Sequence, residues 1–255
     1  MSKRHFKCTA CGQCCVGWLP LTLDDALTFA HLFPLAIMWE VVRHTSKSFD
    51  LAARLGTTVQ LPAHKRVAVI ITPLAYIPPD MACPALAPDR LCSIHAEKPR
   101  RCRAMPFYAY REESEQLEFL LPRKGWDCDV SDAAPTVYRD KKILTRADFE
   151  AEREALEAQA PQLRTYANLM LKQSAPLMSQ VIKAATMPTG GRFVVNFSPL
   201  LRLQREGDLA AFAQKQHPVL IKFAQQTGSN AAHAAYHTYY QQSATELGRF
   251  IRQTP

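Results

Sequence analysis

The chain has 255 residues, 47% of them hydrophobic and 21% charged, which excludes a disordered chain and a core too small to fold without covalent staples. Its net charge of +8 is spread over both halves without a long run of like charges, so a dedicated nucleic-acid surface is the weaker reading. All eight cysteines fall between Cys8 and Cys128, and the rest of the chain has none.

The start, Met1–Lys7, is basic, but no apolar stretch follows it. The longest aliphatic or aromatic runs, Leu35–Trp39 and Val67–Ile71, are five residues each, far below the ~20 needed to span a bilayer. A cytoplasmic protein with no membrane partner is expected. In that compartment thiols stay reduced, so clustered cysteines point to metal or redox chemistry rather than to disulfides.

Taken in chain order, Leu21–Asp25 reads as a turn into a helix capped by Thr22 or Asp24, with Ala26, Leu27, Phe29, Ala30 and Phe33 as its apolar stripe. Pro34 interrupts it, and a second helical stretch is expected from Leu35 to about Leu55, ending at Gly56. Arg66–Ile77 is β-branched and reads as a strand, with edge character from Pro73. Residues 83–106 are broken by four prolines and read as loop; Glu115–Leu121 reads as a short strand. Thr145–Asp148 resembles a capping box opening a helix over Arg146–Ala160, and Pro161 then starts another over about 162–186, kinked at Pro176. Gly190-Gly191 is a turn before an apolar stretch, Phe193–Phe197. Two more helices follow at about 207–227 and 230–252, separated by Gly228. The expectation is an α+β fold. An irregular cysteine-rich metal-binding module with short strands and helices, residues 1–130, packs with a mostly α-helical half of unknown role, residues 131–255.

Cys8-x2-Cys11-x2-Cys14-Cys15 places four thiols within eight residues, too many small side chains for one patch of ordinary core. Thiolates at this spacing wrap a loop around one centre, as in zinc knuckles and bacterial ferredoxins, and Cys83-Pro84 offers the cysteine–proline pair of a remote ferredoxin ligand. Adjacent Cys14 and Cys15 point in different directions in an extended backbone. The pair therefore suggests either two centres or one ligand beside a spare thiol. A second set would be drawn from Cys83, Cys92, Cys102 and Cys128, and spacing does not assign which cysteine goes where. Four thiolates around zinc or a cubane leave a negative site, which Lys98, Arg100, Arg101 and Arg103 would offset as cofactor-binding residues.

The segment Phe6-Lys7-Cys8-Thr9-Ala10-Cys11-Gly12-Gln13-Cys14-Cys15 resembles the opening of the YkgJ-type cysteine-cluster proteins, described as zinc- or iron-chelating domains. The resemblance continues through Leu21–Asp25, Cys83–Leu86, Cys92–His95 and Lys98–Pro106, and closes at Trp126-Asp127-Cys128. His95 and Lys98 stand where that family usually has Tyr and Arg, and no Gly closely follows Cys128. His95 is accordingly either an added ligand or a ring filling the tyrosine's place. The flagellin lysine N-methylases are similar in their cysteine module and are associated with an iron–sulfur cluster, which implies an enzymatic precedent.

No phosphate-binding glycine loop, zinc-protease motif or nucleophile elbow is present. His233 and His237 are four apart and could bind metal from one helix face, but with Tyr236, Tyr239 and Tyr240 nearby they read as an aromatic packing or surface pair. Glu150, Glu152, Glu154 and Glu157 read as a solvated helix face, and His5 is a spare ligand only. The functional expectation is a metal-binding protein that holds an iron–sulfur cluster, or one to two metal centres, through the eight cysteines, with a redox or protein-modifying role acting on a protein partner or substrate. The alternative is a structural zinc protein serving as an interaction or nucleic-acid-binding module.

Overall fold

A computed structural model describes residues 3–62, 65–203 and 209–251 of the chain. Strand β1 (Lys3–His5), strand β2 (Leu19–Pro20) and helix α1 (Leu23–Thr28) come first, then strand β3 (Leu35–Arg43), helix α2 (Phe49–Leu55), strand β4 (Thr57–Gln60) and strand β5 (Arg66–Ala75). A short helix α3 (Arg100–Arg103), a 3-10 helix (Glu113–Leu120), strand β6 (Thr136–Arg139) and strand β7 (Lys142–Ile143) follow. The remainder comprises α4 (Ala147–Gln173), α5 (Ala175–Thr186), β8 (Gly191–Val195), α6 (Ser198–Arg202), α7 (Leu209–Thr227) and α8 (Ala234–Ile251), the last preceded by a 3-10 turn at Ala231–His233. The fold is mixed α/β with a helical C-terminal half, as the composition and patterning predict.

The main sheet runs β2-β5-β3-β8, with β4 sharing the β2 side of β5; β1, β6 and β7 form a smaller sheet, and every pairing is antiparallel. Both faces of the main sheet are covered. On one lie Leu163 and Tyr166 of α4, Val181 of α5, Phe212, Leu220 and Phe223 of α7 and Tyr240 of α8; on the other, α2 packs with Phe107, Tyr110, Tyr138 and Phe149. The two halves of the chain therefore share one core.

Several local expectations are corrected. Leu35–Arg43 is a strand, not the start of a helix: seven of its nine residues are buried, all but Glu40 and Arg43, and a strand covered on both faces reads as an unbroken apolar run. β5 is an interior strand despite Pro73. The Pro73 carbonyl accepts from Leu21 N at 2.9 Å, away from β3, so the missing N–H lies on that same side and removes nothing from the β3 ladder. Glu115–Leu121 lies largely in the 3-10 helix, because Gln116 is buried and uses its amide to bind the carbonyls of Tyr108, Arg111 and Glu112. α4 has no side-chain cap at Arg146 and runs through Pro161; the break falls at Ser174, whose hydroxyl caps α5 by accepting from Leu177 N at 3.3 Å, with Pro176 in the first turn. The capping of α1 by Thr22, the stop of α2 at Gly56 and the Gly228 break before α8 follow the expected pattern. The predicted limits at 207–208 and 252 lie outside the described residues. Among those described, no helix is long and apolar enough to cross a membrane.

Candidate metal centre

Two isolated antiparallel bridges organise the cysteines. At the first, Lys7 pairs with Asp129, exchanging backbone hydrogen bonds of 2.8 and 3.0 Å, which sets Cys8 beside Cys128. The Thr9 hydroxyl donates to Asp127 O at 3.0 Å, and backbone hydrogen bonds from Gln13 and Asp127 lower the Cys11 thiol pKa, so Cys11 joins the same side. At the second, Val16 pairs with Ala82; Cys83 N donates to Cys15 O at 2.8 Å and Gly17 N to Met81 O at 3.1 Å. A tight loop then returns through a Leu86–Cys92 bridge, and Cys102 is presented by α3.

Local sequence explains these turns. Gly12 and Gly17 both adopt positive φ, +73° and +71°, and a Cβ on Gly17 would come within 3.2 Å of Pro79 Cα. Gly17 lets the Cys15 strand lie against the Pro78-Pro79 segment that leads to Cys83.

The thiols fall into two electrostatic neighbourhoods. Burial, then the charges of Cys11, Cys8 and Cys14, raise the Cys128 thiol pKa. Burial, followed by Cys83, Cys92 and Cys14, pushes Cys102 up to about 12, against the pull of Arg101. Cys15 is raised by its hydrogen bond to Cys14, by burial and by Cys14, Cys83 and Cys102. Cys14 is lowered to about 6, chiefly because the Cys15 thiol hydrogen-bonds to it, with Lys98 adding in the same direction. Cys14 thus borders both groups, whereas Cys15 faces only the second.

All eight cysteines are free of disulfides; Cys8 and Cys14 are exposed and the others half-buried. Among the described residues, no three His, Cys, Asp or Glu side chains converge closely enough to enclose an ion as they stand. The donor set nevertheless fits the metals that take sulfur: soft, uncommitted thiols held on loops close to one another suit zinc or an iron–sulfur cluster, not calcium or magnesium.

The basic run is engaged with carboxylates and carbonyls. Arg100 Nη1 lies 2.9 Å from Asp24 and 3.3 Å from Asp25. Arg101 is buried, pairs with Glu152 at 3.0 Å and donates to Phe107 O. Arg103 Nε donates to Lys98 O at 2.8 Å. Arg100 and Arg101 fasten α3, and hence Cys102, to α1 and α4; Lys98 and Arg101 are the two whose charge is felt at thiols.

Glu152 corrects the reading of the acidic run as a solvated face, since it is only 2% exposed. The signal was present: Glu152 falls between Phe149 and Leu156 on the stripe that continues to Ala160 and Leu163, all buried. His95 is exposed, and its N–H donates to Cys92 O at 3.1 Å. His237 Nδ1 lies 2.8 Å from Ala224 O, and His5 Nδ1 lies 2.6 Å from Ala134 O. His233 pairs with Asp80 at 2.7 Å, a partnership that spacing gave no means of anticipating. A groove of about 400 Å³, lined by Arg43, His44, Lys65 and Arg66 over Leu61, Val67 and Ala185, lies at the other end of β5 from Cys15 and Cys83.

A reduced thiol set on bridged loops, seated on a mixed α/β core, has the donor chemistry of a site for zinc or iron. Residues 7–124 match the model of the CxxCxxCC family, described as a "putative zinc- or iron-chelating domain", in keeping with the resemblance of the cysteine pattern. The match covers seven of the eight cysteines and supports metal binding. No curated protein and no solved structure matches the chain.

Proposed function

We propose that the eight cysteines hold two metal centres of four thiolates each, Cys8, Cys11, Cys14 and Cys128 at one and Cys15, Cys83, Cys92 and Cys102 at the other. The observation that carries this reading is the pair of bridges, Lys7–Asp129 and Val16–Ala82, which brings one remote cysteine to each end of the Cys8–Cys15 loop. Cys14 and Cys15 follow the turn closed by Cys15 N donating to Gly12 O at 3.0 Å, and their adjacent thiols are where the two sets meet. Lys98 and Arg101 ease the negative charge of the two sets, while Arg100 and Arg103 hold the α3 loop in place.

The first reading of the metal is iron–sulfur, which the C-x2-C-x2-C run with a remote Cys-Pro supports. Such a centre would supply electron transfer, and the protein would act in a redox or cluster-dependent modification of a protein partner in the cytoplasm. The second reading is structural zinc, favoured by two sets of four sulfurs that leave no open coordination position. Anaerobically purified protein tests both. Absorption near 400 nm with iron and sulfide supports the first, and a colourless protein with two zinc ions per chain the second. Cys11→Ser and Cys102→Ser should each remove one centre; a metal content unchanged in both variants refutes the assignment.

A further inference from the structure

The segments that carry Cys15 and Cys83 meet in a single bridge, held by two backbone hydrogen bonds of 2.8 and 3.1 Å. Beyond that bridge the chain continues to Trp18 on one arm and Asp80 on the other. Both arms are held from the cysteine-free half. His233 Nε2 lies 2.7 Å from Asp80 Oδ1, and Trp18 Nε1 donates to the Tyr236 hydroxyl at 2.8 Å. The two holding residues are three apart, His233 closing the 3-10 turn that leads into α8 and Tyr236 in the first turn of α8.

The holder is itself fixed. The Tyr239 hydroxyl donates to Leu35 O at 2.8 Å and the Tyr240 hydroxyl to Tyr76 O, pinning the helix to β3 and to the residue after β5. Tyr76 stacks on Tyr236 at 4.3 Å between centroids and meets Trp18 at 5.5 Å. His233 is 6% exposed and its Nδ1 is buried without a hydrogen-bond partner. Asp80 is an acceptor, so Nε2 carries the donated proton, and the ring is committed to that contact at the cost of its other nitrogen.

We propose that His233 and Tyr236 are positioning residues for the Cys15–Cys83 centre, and that docking of α8 and metal binding at that centre are coupled. This rests on the reading that Cys15 and Cys83 share a metal. It assigns the cysteine-free half a role: its last helix is the outer frame of one metal loop. Coupling is reciprocal, so whatever factor α8 docking adds to metal affinity, the metal returns to α8 docking.

The full-length protein, stripped of metal and titrated with zinc against a chromophoric chelator, tests the proposal. His233→Ala and Tyr236→Phe should weaken one of two zinc sites about ten-fold and leave the other unchanged. His233→Gln, which keeps a donor for Asp80, should recover most of the loss. Val181→Ala, a core cavity in α5, should lower stability without moving either affinity. Zinc should also slow amide exchange at residues 233–240, and should fail to do so in Cys15→Ser while still doing so in Cys8→Ser. Two tight zinc sites indifferent to His233→Ala and Tyr236→Phe overturn the coupling alone. A wild-type chain that neither binds zinc tightly nor takes up iron and sulfide on anaerobic reconstitution overturns the two-centre reading and the coupling with it.

Discussion

Arg101 and Glu152 form a buried ion pair, Nη1 to Oε2 at 3.0 Å, that joins the helix of Cys102 to the longest helix of the cysteine-free half. Arg101 also donates to Phe107 O, so the guanidinium is satisfied from both sides. Glu152→Ala leaves a cation buried beside α4 and should cost about 3–5 kcal/mol, read as a fall in the urea midpoint. The double change Arg101→Met with Glu152→Leu should recover a large part of that loss. A Glu152→Ala protein as stable as wild type would show the pair to be solvated.

The two-centre partition predicts non-additive metal losses. Cys8→Ser and Cys128→Ser combined should release no more metal than either alone, because both empty the same centre. Cys8→Ser with Cys83→Ser should release twice as much as either alone. Elemental analysis per chain distinguishes the cases, and equal release in both pairs would argue for a single centre.

Gly17→Ala should destabilise the chain by about 1–2 kcal/mol, since an L-residue at φ +71° is strained and its Cβ would press on Pro79. Denaturant midpoints test the energy. Metal content tests the location of the damage, which should fall on the Cys15–Cys83 side.

Gln216 is a buried polar residue whose amide serves three backbone groups: Oε1 accepts from Leu35 N at 2.6 Å, and Nε2 donates to the carbonyls of Ala30 and Phe33 at 2.6 and 2.9 Å. It fastens α7 to the turn before β3. Gln216→Leu should cost about 3 kcal/mol by leaving those groups unpaired, although it adds apolar volume. An unchanged thermal midpoint would mean that water takes the amide's place.

The acid limb of stability should depend on Glu113. Burial alone would raise its carboxyl pKa, but the Arg146 guanidinium and the Ile143 N–H outweigh it and hold the group below the usual carboxylate range. Its contribution is therefore complete at neutral pH and is lost as pH falls through that lowered value. Glu113→Gln should flatten stability against pH below the usual carboxylate range and alter the slope little at neutral pH. Denaturation curves from acid to neutral pH would show it.

The chemistry-bearing residues were legible in the sequence because thiols at short spacing have few structural uses, and Cys8–Cys15 sits on the loop that such spacing implies. The assignment of partners was not legible. Cys8 meets Cys128 and Cys15 meets Cys83 through backbone bridges that leave no mark on composition. The same holds for the fold. The α7 and α8 helices show amphipathic periods and a glycine break between them. β3 reads as helix in sequence because a strand buried on both faces has no alternation to betray it. Pro161 reads as a boundary, yet packing on both sides of it, at Ala160 and Leu163, carries α4 through.

The Lys7–Asp129 bridge also sets an order in time. Cys8 leaves the ribosome about 120 residues before Cys128, the partner proposed for it. Until then the N-terminal thiols emerge unshielded, and closing so long a loop costs entropy that the nascent chain cannot yet offset. The proposed centre therefore cannot close before Cys128 has emerged, and the N-terminal thiols must be kept reduced at least that long.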